Sequence, residues 1–216
     1  MTLVHNICQH VLRRIPIAAV MLVTTASAHA GSTATSPGAA AYEVDYMKFT
    51  MDHHGMGVEM AFVCQDKAVS DRLNDMCVRI EQDQAQEIIT LDGYLSDWYG
   101  QGYEPVLTEQ DVMDLQMLRG LEGRQFDIGI SEMFIEHHRM IIDRSEEALA
   151  RVEHQELLGL AQGIIAKQSA EIAEFESVIA EAGGGTVIPL PAPVALGGLG
   201  LAGTAVATWR GRRRSM

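Results

Sequence analysis

Two pairs of adjacent histidines, His53-His54 and His137-His138, concentrate this chain's capacity for chemistry. The first stands in Phe49-Thr50-Met51-Asp52-His53-His54-Gly55-Met56-Gly57-Val58-Glu59-Met60. The second stands in Met133-Phe134-Ile135-Glu136-His137-His138-Arg139-Met140-Ile141-Ile142-Asp143-Arg144. An offset of 84 residues, without a gap, carries one frame onto the other. The same offset carries Tyr42 onto Phe126, Ile80 onto Ile164, Gln84 onto Gln168 and Glu87 onto Glu171. So long a correspondence marks a duplicated structural unit.

Imidazole, thioether and carboxylate groups together most often serve metal ions, and thioether with imidazole favours copper, Cu(I) above all. The candidate ligands are His53, His54, Met56, Glu59 and Met60 in the first copy. In the second they are His137, His138, Met140 and Asp143, and Glu87 and Glu171 are the carboxylates of the partner segments. Positions i, i+3 and i+7 share a helix face, so His53, Met56 and Met60 can converge. Arg144 stands where Met60 stands in the first copy, and its fixed charge opposes a cation. The first copy is therefore the stronger candidate. A plainer reading competes: methionine at helical spacing commonly fills cores, and one histidine of each pair would merely hydrogen-bond Glu87 or Glu171.

The elements that must position these groups are helical. Apolar periodicity predicts helices over 42–67, 70–99, 126–152 and 155–182. Gly100-Gln101-Gly102-Tyr103-Glu104-Pro105 reads as a loop, and Thr108-Glu109-Gln110-Asp111 as a capping box opening a short helix to about Leu118. Two tandem hairpins joined by such a crossover imply an all-α, ferritin-like four-helix bundle. On its seams, His53 and His137 fall among apolar residues, as do Gln84, Glu87, Gln168 and Glu171. A buried carboxylate needs a cation or donor, and an imidazole on the adjacent helix is the evident one.

The ends carry other signals. Arg13-Arg14, an apolar run from Ile15 to about Ala26 and Ala28-His29-Ala30 form a signal-peptide pattern over 1–30. Residues 31–41, rich in Gly, Ser, Thr, Ala and Pro, read as a flexible leader before a domain over 42–182. Beyond Gly183, the uncharged stretch Val187–Trp209 is long enough for one membrane span, and Arg210, Arg212, Arg213 and Arg214 would hold its end in the cytoplasm. All 29 acidic residues but only 10 of the 16 basic ones lie between 31 and 185, so this segment is more acidic than the net −13 of the chain. Such a surface repels nucleic acid and gathers cations. Cys8 would leave with the signal peptide; Cys64 and Cys77 then form either a disulfide or two thiols.

The segment His53-His54-Gly55-Met56-Gly57-Val58-Glu59-Met60-Ala61, followed by Gln84-Ala85-Gln86-Glu87-Ile88, resembles the DUF305 family. That family's repeat is similar to Met-Ile-Pro-His-His-x-x-Ala-x-x-Met-Ala and then Gln-x-x-Glu-Ile, and the likeness covers about 42 to 182. The resemblance implies a ferritin-like bundle and, through CopM-like envelope members, copper binding or tolerance. Its implied positions are His53, His54, Met60, Gln84 and Glu87, with His137, His138, Gln168 and Glu171 in the second copy. Asp52 and Glu136 depart from it where proline is usual, and Arg144, Leu91 and Phe175 where methionine is. The tail Val187-Ile188-Pro189-Leu190-Pro191-Ala192, with its span and basic end, resembles a VPLPA-type PEP-CTERM sorting signal. That implies an exosortase-type processing enzyme as a partner and a periplasmic or cell-surface location, anchored in the membrane at least transiently.

The leading expectation is thus a surface-exported, non-enzymatic protein that binds copper in sequestration or tolerance, alone or as a homo-oligomer. The alternative is a structural or interaction module of the cell surface with no specific metal. Di-iron oxidation would need two Glu-x-x-His motifs, whereas Thr50 and Met51 precede His53 and His54 by three residues.

Overall fold

The computed structural model describes residues 35–183. The signal-peptide pattern, the sorting signal and the membrane span lie outside the described residues. Within them, no helix is long and apolar enough to cross a membrane.

Five helices follow one another: α1 (Pro37–Lys67), α2 (Asp71–Tyr99), α3 (Glu109–Gly120), α4 (Gly123–Leu149) and α5 (Gln155–Glu181). α1 pairs with α2 and α4 with α5, and the two hairpins meet chiefly through α1 against α4. The expected all-α bundle of two tandem hairpins with a short crossover helix is what forms. α3 begins at the expected capping box: Thr108 Oγ1 accepts from Asp111 N at 3.1 Å and Asp111 Oδ2 from Thr108 N at 2.7 Å. The expected leader is shorter than 31–41, because α1 already starts at Pro37. Ser36 caps it by accepting from Ala39 N, and a proline at the first helical position has no amide to leave unpaired.

Two apolar clusters fill the bundle. One gathers Met56, Met60, Leu73, Met76, Ile80, Phe126, Phe134 and Phe175 with Leu115 and Leu118 of the crossover helix. The other gathers Tyr46, Met47, Met51, Ile88, Leu91, Leu95, Leu157 and Ala161. Between them, each long helix contributes one polar step: His53-His54, Gln84 with Glu87, His137-His138, and Gln168 with Glu171. Every residue from His53 to Val58 is buried, because the crossover covers a side of α1 that would otherwise face water. Asp52 ties that crossover down, accepting from Tyr103 Oη and Val106 N, each at 2.8 Å. A proline there could make neither bond.

Both turns between paired helices are held by a buried carboxylate, one per repeat. Glu43 accepts from the amides of Glu153 at 2.7 Å and His154 at 3.0 Å, where α5 begins. Asp127 accepts from the amides of Val69 at 3.0 Å and Ser70 at 3.1 Å, where α2 begins. Glu43 also meets His154 Nδ1 at 2.6 Å and the Tyr99 hydroxyl, and His154 stacks on Trp98 at 3.9 Å. A disulfide joins Cys64 to Cys77 across the α1–α2 turn, their Cα atoms 6.1 Å apart.

Candidate metal centre

His53 and His137 come together at the middle of the bundle. Their rings stack with centroids 3.6 Å apart and planes 19° from parallel. His53 Nε2 lies 2.8 Å from the carbonyl oxygen of His137, to which it donates. Equivalent residues can touch only where the two repeats face each other across a local two-fold axis. Lys167 shows the same relation, its Nζ 3.1 Å from Asp83, its counterpart in the first copy. The linear order suggested one site in each repeat. The fold instead brings the first histidine of each pair to a shared position between the hairpins.

The second histidine of each pair turns toward its own hairpin. His54 Nε2 is 2.7 Å from Glu87 Oε2, and His138 Nε2 is 2.8 Å from Glu171 Oε2. The former is an aligned hydrogen bond; the latter is an equally close contact whose angle is too poor for one. Burial pushes the Glu87 carboxyl up, but the His54 hydrogen bond and the charges of His54 and Lys167 outweigh it, leaving it below the usual carboxylate range. Glu87 also receives Lys167 Nζ at 3.3 Å. Both carboxylates expected beside the histidines are therefore already engaged.

Burial drives His53 and His137 well below the ordinary imidazole value, and the neighbouring histidines add to the shift. Both rings are neutral and hold a lone pair. Several buried nitrogens have no hydrogen-bond partner: His53 Nδ1, His54 Nδ1, His137 Nε2 and His138 Nδ1. Neither polar atom of the Gln84 carboxamide has one either. Orphaned buried polar atoms are uncommon, and this many in one layer calls for a partner.

The remaining expected ligands divide. Met56 and Met60 are buried in the apolar cluster beside the histidine layer, and Glu59 is half-buried on α1. Met140 is 52% exposed and Asp143 is exposed as well, so the structure does not bring them into the layer. Among the described residues, the position on α4 equivalent to Met56 faces water. Arg144 is committed elsewhere: it pairs with Asp45 and Glu147 and lies over the Tyr42 and Phe49 rings. Among the described residues, no three His, Cys, Asp or Glu side chains are grouped to hold an ion. A site here must combine imidazole with other donors.

The family model for DUF305, a domain of unknown function, matches residues 43–179. The chain belongs to the DUF305 family. Among solved structures it is similar to CopM in its Cu(I)-bound form, with a TM-score of 0.58 at 22% identity over 64% of this chain and 96% of CopM. CopM in its Cu(II)-bound form gives a TM-score of 0.57 at 24% identity, over 64% and 97%. A DUF305 protein of Streptomyces coelicolor, named as secreted, gives 0.61 at 21% identity over 69% and 97%. Nothing matches among curated proteins. At these identities the likeness to solved structures speaks for the DUF305 fold alone.

Proposed function

We propose that this chain is an exported carrier of a soft monovalent metal ion, Cu(I) in its physiological form, acting in sequestration or tolerance. The observation that carries the reading is the stacked His53 and His137 rings at the junction of the two repeats, among buried imidazole nitrogens without a hydrogen-bond partner. Its central donors are His53 and His137, with Met56 and Met60 as the nearby thioethers. Imidazole and thioether suit copper.

Charge favours the monovalent state. The cost of burying an ion rises with the square of its charge, and only nearby anions offset it. Glu87 is shared between His54 and Lys167, and Glu171 lies against His138. Among the described residues no carboxylate joins the His53–His137 pair in a group that could hold an ion, so a divalent ion would lack a counter-charge there. CopM, similar in fold, is known in Cu(I)-, silver- and Cu(II)-bound forms, which agrees with copper as the metal and leaves the charge preference to the residues of this layer. Lone pairs of stacked rings point along separate planes, so one ion shared by both requires the rings to swing out of the stack. The His53 bond to the His137 carbonyl would then act as a latch on the metal-free protein.

The cell-surface structural role keeps one specific support, the pairing of His54 with Glu87 and of His138 with Glu171. We assign those four residues to holding each hairpin together and orienting the layer. Titration of the purified protein with Cu(I) against a competing chelator tests the assignment. His53→Ala should weaken binding, and an affinity unchanged in that variant would refute it.

A further inference from the structure

The histidine layer is not symmetric, and the asymmetry has chemical consequences. Gln84 is 2% exposed and neither its Oε1 nor its Nε2 has a partner. It fits against α1 because residue 57 is glycine. A Cβ on Gly57 would lie 2.0 Å from Gln84 Oε1 and 3.0 Å from His137 Nε2, so both unpartnered atoms converge on one spot of the helix surface. The repeat-related residue is Ile141, fully buried, so the second copy carries a side chain where the first has none.

We propose that Gly57 makes room for the Gln84 carboxamide beside His137, on one side of the layer alone, and that this carboxamide sets the charge of the ion bound there. The inference rests on the metal-carrier reading above. The carboxamide oxygen is a neutral donor: it can complete a shell around His137 without adding negative charge. Turning the amide over would instead present its NH2 to His137, which suits the metal-free state. A carboxylate at the same place would hold a divalent ion, because it supplies the counter-charge that the committed Glu87 and Glu171 do not.

Gly57→Ala drives the Gln84 carboxamide off that spot, since the Gln84 end can move and the stacked His137 ring has less freedom. Gln84→Glu keeps the shape and changes the charge. The test uses the full chain with Ag(I) as a monovalent probe and Zn(II) as a divalent one, each measured by competition, with circular dichroism to confirm the fold. Gly57→Ala is expected to weaken Ag(I) binding roughly tenfold or more while remaining folded. Gln84→Glu is expected to shift the Zn(II)-to-Ag(I) affinity ratio toward zinc by roughly tenfold or more. Should Gly57→Ala unfold, the ratio in Gln84→Glu still decides. Wild-type-like Ag(I) affinity and an unchanged ratio overturn this proposal alone. Failure of the wild-type chain to bind Ag(I) overturns the carrier reading and this inference with it.

Discussion

Acidification should destabilise the protein through His53 and His137 before Glu43 and Glu87, whose carboxyls are held below their usual range, titrate. Both imidazoles resist protonation in the fold, chiefly because they are buried, and have the ordinary value of 6.5 when the chain unfolds. The unfolded chain therefore binds protons that the folded chain refuses, and stability falls as pH falls through 6.5. The loss stops only at the much lower folded values. For one such histidine the change between about pH 7.5 and about pH 5.5 is about 1.4 kcal/mol, and for two about 2.7 kcal/mol. Glu87 and Glu43, held below the usual carboxylate value of 4.5, add their own losses only in more acidic solution. Urea denaturation of the metal-free protein across this range, compared with His53→Gln/His137→Gln, isolates the pair. The wild-type curve should drop by about 2.7 kcal/mol more than that of the double variant. Parallel curves would refute the burial of two neutral imidazoles.

Three further outcomes follow from particular contacts. Replacing Cys64 and Cys77 by serine opens a cross-link between residues 13 apart, which should cost about 3 kcal/mol and lower Tm by roughly 6–12 °C in a scanning melt. Glu43→Ala leaves the Glu153 and His154 amides and the Tyr99 hydroxyl without their acceptor, a loss of roughly 3 kcal/mol or more by chemical denaturation. Met140→Gln should leave Cu(I) affinity within about twofold of wild type, since that thioether stands in solvent; a large loss in the titration would return Met140 to the site.

The helices, their seams and the pairing of each His-His step with a Gln-x-x-Glu step were legible in the sequence, because apolar spacing reports which face is buried. What the residues touch was less so. A tandem repeat suggests two copies of a site, and only the two-fold packing of the hairpins reveals that His53 and His137 stack on each other. Met140 has the same spacing from His137 as Met56 from His53, but spacing carries no information about the crossover that buries one and not the other. The start of α1 was marked by Ser36-Pro37, a cap signal hidden in a stretch whose composition suggests a flexible leader. Glu43 and Asp127 were missed altogether. They follow the matched aromatic residues Tyr42 and Phe126 at the same offset, and a paired acidic residue on an apolar face was the available sign. The close approach of Gln84 to Gly57 is invisible in sequence, since it depends on where Gln84 ends.

We propose one shared centre rather than one per repeat. The stoichiometry of tightly bound Cu(I), measured under chelator competition for wild type, His53→Ala and His137→Ala, tests it most directly. One ion per chain, lost from either single variant, is the predicted result. Two ions per chain, with each variant losing only one, would contradict it.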